Sequence, residues 1–190
     1  MKFLIAALAA VFFFNSAHAE DVDMLRFCTK DEVPAGIETY VSPTTGFSAY
    51  LISIRSVFVD LYMKGGKEFE YRKSFPCEPV THVIFYDSES RNIVATGKVV
   101  KTLKGAPTPV INATVARSGV SSTDLWWYYA SSSVAYATEV KFQLLPKKIT
   151  LAELKALEPS FQGPQGYAYL KKYPNLEAEI KKILGIEPVL

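Results

Sequence analysis

Histidine is nearly missing: His18 and His82 are the two in 190 residues. Cysteine is as scarce, with Cys28 and Cys77 about 50 residues apart. A structural zinc site wants four Cys, His or carboxylate ligands at close spacing, and this set does not supply them, so no metal is expected. The chain has no Gly-x-Ser-x-Gly elbow, His-Glu-x-x-His pair, phosphate loop or dinucleotide glycine pattern. That removes the common signatures of serine hydrolases, metalloproteases and nucleotide-cofactor enzymes, and no cofactor is expected. Neither charge sign dominates, the formal net charge being +2, and this balance gives no basic stripe to draw in a nucleic acid. Ten glycines and eleven prolines are too few for a low-complexity or collagen-like chain. Beyond Phe14 there is no apolar run of the roughly 20 residues that cross a bilayer.

What is present begins with a leader. Met1-Lys2 precedes an apolar run from Phe3 to Phe14, and Asn15-Ser16-Ala17-His18-Ala19 follows. A positive start, about a dozen apolar residues and an Ala-x-Ala site are the three parts of a secretory signal peptide. Residues 1–19 are therefore expected to be cleaved off after Ala19, giving a periplasmic or secreted protein without a transmembrane segment. In an oxidising compartment the two cysteines read as one disulfide, Cys28–Cys77, contributing about 4 kcal/mol in the chain-entropy account. Hydrophobic residues at 49% against 21% charged exclude a disordered chain.

From Gly46 to Leu145 the chain is dense in Val, Ile, Tyr, Phe and Thr, a strand composition. Residues 134–144 alternate, with Val134, Tyr136, Thr138, Val140, Phe142 and Leu144 on one face. Val80 to Tyr86 and Ile93 to Leu103 read as a hairpin, and Val110 to Arg117 and Leu125 to Ala130 as two further strands. Residues 46–63 admit two readings: a helix stopped by Gly65-Gly66, or a strand returning through a Gly-Gly hairpin turn. Few strong helix formers occur there, which favours the strand, and the hairpin register gathers Phe58, Tyr62 and Tyr71 around Asp60. These segments predict a mainly β chain: a two-sheet antiparallel β-sandwich of immunoglobulin-like size over residues 20–145. Residues 146–190, rich in Leu, Lys, Glu and Ala, predict a short C-terminal helical appendage. Its first helix opens on a Thr150-x-x-Glu153 capping box, and its second, Leu176 to Leu184, on Asn175.

Chemistry is sparse. His82 shares a strand face with Val80, Ile84 and Tyr86 and reads as a half-buried structural residue. The carboxylates Asp60, Glu68, Glu70, Asp87, Glu89, Asp124 and Glu139 lie beside turns or alternate outward, and no pair suggests itself as the two a glycosidase needs. The sequon Asn112-Ala-Thr114 reads as coincidence beside a leader of bacterial style. The strongest departure from background is Leu125-Trp-Trp-Tyr-Tyr129. On a strand, Trp126 and Tyr128 face away from Leu125, Trp127 and Tyr129. Either the tail covers them or they form, with Phe58 and Tyr62, an aromatic binding surface. The expected function is an exported, non-enzymatic binding protein that holds a protein or a cell-envelope polymer by that aromatic strand face or by the tail. Two alternatives stay open: a carbohydrate-active hydrolase with paired carboxylates, and an inhibitor of a secreted enzyme.

Overall fold

The computed structural model describes residues 23–186, so the predicted signal peptide and its cleavage site lie outside the described residues. After the short helix α1 (Met24–Cys28) come β1 (Glu38–Val41), β2 (Ala49–Ile54), α2 (Ser56–Met63), β3 (Phe69–Arg72), β4 (His82–Asp87) and β5 (Asn92–Gly105). Then follow α3 (Pro107–Thr114), α4 (Ser122–Tyr129), β6 (Ala135–Ile149), α5 (Leu151–Leu157), β7 (Tyr167–Tyr169) and α6 (Pro174–Ile183). The strands form one sheet in the order β3-β6-β5-β4-β2-β7, with β1 on β5 as well. β2 and β4 are parallel, Ala49 opposite His82 through Ile54 opposite Asp87, and the other pairs are antiparallel. The 14-residue β5 and 15-residue β6 are the spine. One edge of β5 serves two partners, β4 along its first half and β1 along its last four ladder positions, and the mixed sheet curls into a half-barrel.

The two-sheet antiparallel sandwich is thereby corrected. A parallel neighbour needs a long crossover, and here residues 55–81 make it, carrying α2 and β3 across to the far side of β6. Three segments read as strands are helices. The run 56–63 coils because its inward residues, Val59 and Tyr62, recur at helical and not alternate spacing. Residues 110–114 belong to α3, which starts at Pro107, a residue suited to a helix's first turn. Residues 122–129 form α4, where Ser121 caps the helix by accepting from the Asp124 amide. The C-terminal segment is not helical throughout either. β6 runs through Pro146 to Ile149, and β7 adds three residues to β2. The second tail helix begins at Pro174 with Tyr173 at its N-cap, while the Asn175 side chain donates to the Leu157 carbonyl. The Thr150–Glu153 capping box is present, Glu153 accepting from the Thr150 amide and Thr150 from the Glu153 amide.

Both faces of β2 and β4 are covered along most of their length, which explains why apolar residues follow one another without alternating in Ala49–Ile52 and Val83–Tyr86. Tyr50, Ile52, Val83, Phe85, Tyr136 and Val140 point to the inner face, where Phe27, Tyr40, Phe75 and the α2 residues Val59 and Tyr62 meet them. Their alternates Leu51, Ile84 and Leu145 pack outward under Leu154 of α5 and Leu176 and Ile180 of α6. At the other end of the outer face, Phe69, Tyr71, Ala135 and Ala137 lie under α3 and α4. The Cys28–Cys77 disulfide ties α1 to the loop before β4.

Candidate functional site

The crossover builds a cleft. Ser56 anchors the start of α2 by donating from Oγ to Asp87 Oδ2 (2.8 Å). At the helix end the Gly66 amide donates to the Leu61 carbonyl and the Gly65 amide to that of Tyr62, both at 3.0 Å, with Gly65 at φ 71°. This Schellman ending uses the left-handed conformation glycine adopts freely. It turns the chain directly into Lys67 and β3. Along β3, Phe69 and Tyr71 go to the outer helices, so Glu70 and Arg72 alternate onto the inner face, among aromatic rings.

Three charges are thus buried together. Glu70 Oε1 forms an ion pair with Arg72 Nη2 at 2.7 Å, and Glu70 Oε2 lies 3.6 Å from Lys67 Nζ. Tyr62 OH also donates to Oε2, at 3.4 Å. Lys67 and Glu70 are each 6% exposed. The Lys67 ammonium donates to the Phe69 carbonyl and sits 5.6, 5.2 and 5.0 Å from the ring centres of Phe58, Tyr62 and Tyr71. Arg72 Nη2 donates a further bond to the Ser53 carbonyl on β2 (2.8 Å), whereas its buried Nε has no acceptor among the described residues. Two cations share one carboxylate, so the cluster carries a net positive charge in a poorly polar surround, where charges are expensive. Burial pushes the Lys67 ammonium below its ordinary 10.5, against the attraction of Glu70. Burial and then the Glu70 charge hold the Tyr62 phenol well above 10, and burial lifts Tyr71 to about 12.

The cluster opens into a cavity of about 230 Å³. Its apolar walls come from Phe58, Val120, Leu125 and Tyr128, and polar groups of Ser53, Arg55, Ser88 and Asp124 complete it. Of the residues expected to bind through aromatic contacts, Phe58 and Tyr128 meet at this cleft. Tyr62 is buried behind it and holds Glu70. Trp126 lies apart, on a shallow surface with Trp127, Pro107 and Thr108. The helix alters the exposure pattern expected of a strand: Leu125 and Tyr129, four apart, are buried, while Trp127 is 77% exposed. Asp60 stands on the exposed side of α2, outside the cleft. His82 is half-buried on the other face of the sheet. Arg72 escaped the sequence reading because Glu70 and Arg72, alternating with Phe69 and Tyr71, resemble the solvated side of a strand, and Lys67 because the hairpin reading leaves it beside an exposed turn. The signal was the Gly65-Gly66 helix end immediately before them, which fixes Lys67 at a reversal and not on a hairpin arm.

No protein-family model matches the chain, and no curated protein does. Solved structures do. The crystal structure of ASCH from Zymomonas mobilis aligns with a TM-score of 0.61 at 19% identity, covering 70% of this chain and 94% of that one. Its tyrosine-to-phenylalanine mutant aligns at 0.63 and 18% identity over 70% and 96% of the two chains. The serine-to-alanine mutant gives 0.63 and 19% over 71% and 95%. At such identities the likeness is one of fold, an ASCH-like mixed sheet in place of the expected immunoglobulin-like sandwich.

Proposed function

We propose that the Lys67–Glu70–Arg72 cleft is an acid–base site that hydrolyses an acyl bond in a small, flat, polar substrate. The observation that carries this reading is a lysine nine-tenths enclosed by protein, shifted toward its neutral amine, beside a carboxylate and lining a cavity. Perturbed groups of that kind concentrate at functional sites. In the fraction of molecules that burial shifts to the neutral amine, Lys67 takes a proton from water, the resulting hydroxide adds to the substrate carbonyl carbon, and the ammonium returns the proton to the departing amine or alcohol. Glu70 positions the amine, and the Arg72 guanidinium, which lines the cavity, offers positive charge to the developing negative charge. Phe58 and Tyr128 supply flat walls.

The test is hydrolysis of a panel of nitrophenyl esters and nitroanilides, paired with amine labelling at pH 8 read by mass spectrometry. Lys67 is expected to label out of proportion to its burial. Hydrolysis is expected to rise with pH through a midpoint below 10.5 and to vanish in Lys67→Met. Activity surviving in Lys67→Met, or a Lys67 that neither labels nor supports any hydrolysis, overturns the reading.

A second reading rests on α4. Trp126, Trp127 and Tyr128 are 43%, 77% and 40% exposed on one short helix, a surface suited to an apolar partner. In this reading the chain is an exported binding protein. The Cys28–Cys77 disulfide, a bond that persists in oxidising compartments, supports export. Trp127→Ala is expected to abolish recovery of a partner from the source's cell-envelope fraction while leaving the melting temperature unchanged; equal recovery with both proteins refutes it.

A further inference from the structure

A second groove lies on the outer face of the sheet, opposite the Lys67 cluster. His82 stands opposite Lys98 on β5, and Lys98 opposite Lys141 on β6. Residues directly opposed in antiparallel strands share a face, so the three form one row across β4, β5 and β6, about 10 Å long at the usual strand spacing. Like charges facing each other across a ladder destabilise a sheet, and no feature of the fold calls for them here. The chain as a whole is nearly balanced in charge, so the row is a local concentration. It sits between the two outer hydrophobic layers, where the same strand faces carry Ala137 at one end and Leu145 at the other.

The row is housed. A groove of about 770 Å³ surrounds it, floored next to the row by the opposed pair Thr96 and Gln143. Phe47 and Leu184 make its apolar side, the Phe47 ring lying 5.1 Å from the His82 ring and 5.3 Å from Lys181 Nζ. Lys181 is already matched by Glu177 at 2.6 Å. Among the described residues no carboxylate lines the groove, and none is within ion-pairing distance of Lys98 or Lys141. Thr81 Oγ1 engages His82 Nδ1 at 2.9 Å, which leaves the other ring nitrogen for a ligand.

We propose that this groove is an oxyanion site for a phosphate-bearing ligand, whose phosphate oxygens bridge Lys98 and Lys141 with His82 as a third donor. The ligand supplies the countercharge that none of the described residues offers, and its remaining body lies against Phe47. A row of three donors is longer than one phosphate needs, so linked phosphates fit it better than a single one. This site is independent of the Lys67 cleft, on the other side of the sheet.

His82 reports on its own site. The groups facing it are Lys98 and Lys141 on the neighbouring strands, and Lys181 with its partner Glu177 on α6. Burial and then the Lys98 charge hold the imidazole below its usual 6.5, and a bound anion reverses that influence. The experiment is an NMR pH titration of the His82 imidazole, identified by its loss in His82→Gln. It is run in inorganic phosphate, in pyrophosphate and in chloride of matched ionic strength. Phosphate or pyrophosphate is expected to raise the midpoint saturably by about one unit over chloride. The increment is expected to disappear in Lys98→Ala and Lys141→Ala and to persist in Lys67→Met. A rise with pyrophosphate alone supports the site and identifies linked phosphates as its ligand. No rise beyond chloride, or an undiminished rise in the Lys98→Ala/Lys141→Ala double variant, overturns it.

Discussion

Glu70→Gln should destabilise this protein far more than Lys67→Met, although each removes one charge from the same cluster. Glu70 faces two cations, Arg72 at 2.7 Å and Lys67 at 3.6 Å. Its neutralisation strands both in a buried site, and removing one partner of a buried pair costs about 3–5 kcal/mol. Met at position 67 keeps the stem's volume and leaves the closer pair, Glu70 with Arg72, intact. It forfeits one bond to the Phe69 carbonyl, about 1 kcal/mol, and the attraction of three rings, about 1–2 kcal/mol. Against that it lifts the cost of burying an ammonium, so the net change is expected within about 1.5 kcal/mol of zero by the same reasoning. For a domain of this size 1 kcal/mol moves the melting temperature by about 2–4 °C. Glu70→Gln should therefore lower it by roughly 6–20 °C, and Lys67→Met by no more than about 6 °C. Urea unfolding at pH 7 of both variants and their double mutant measures this, the double recovering part of the Glu70→Gln loss. If Lys67→Met proves as costly as Glu70→Gln, the cluster is held by the Lys67–Glu70 contact, and the account of Arg72 as Glu70's principal partner fails.

Gly119, at φ 71°, has no room for a side chain, since a Cβ would come within 2.9 Å of the Gly66 carbonyl oxygen and of Lys67 Cβ. Gly119→Ala is expected to lose about 1–3 kcal/mol and to shift the labelling of Lys67, and labelling at the wild-type rate would show the contact to be idle. Burial lifts the phenols of Tyr71 and Tyr136 to about 12, so between pH 10 and 12 the folded chain keeps protons that the unfolded chain releases. Stability must then fall as pH rises through that window, seen as cooperative unfolding coincident with phenolate absorbance. Phenolate near pH 10 that is lost in Tyr71→Phe or Tyr136→Phe, seen in a protein still folded by circular dichroism, would contradict the burial of these rings. Cys28 and Cys77, 49 residues apart, should contribute about 4 kcal/mol by loop closure, measured as the loss in a Cys28→Ser/Cys77→Ser variant. A loss below about 1 kcal/mol would place the hold on α1 in Phe27's packing instead.

The strands legible in the sequence are those whose partners also alternate or whose ends carry polar turns. β4 and β5 appear within two residues of their expected places, β6 starts where expected but runs five residues further, to Ile149, and the Thr150 capping box is where the sequence puts it. What misled was composition. Val57, Phe58, Val59 and Tyr62 have strand-like chemistry, yet tertiary packing of Val59 and Tyr62 on the inner face coils them. At α4 the four aromatics drew attention away from Ser121-x-x-Asp124, an N-terminal helix signature in plain view. The candidate cleft was legible in pieces, Phe58 and Tyr128 among them, but not as a site. Its three charges come from one short stretch, and only the crossover from β2 to β3 brings the Ser53 carbonyl to Arg72.

That hydrogen bond has a wider meaning. β7 pairs with Tyr50, Leu51 and Ile52 and stops, leaving Ser53 at a rim where the curled sheet does not close on itself. The Arg72 guanidinium clips one margin to the other there, so the gap between margins and the shape of the cavity change together. Whatever molecule occupies the cavity should slow amide-hydrogen exchange in both β3 and the last residues of β2, two segments distant in the ladder yet breathing as one.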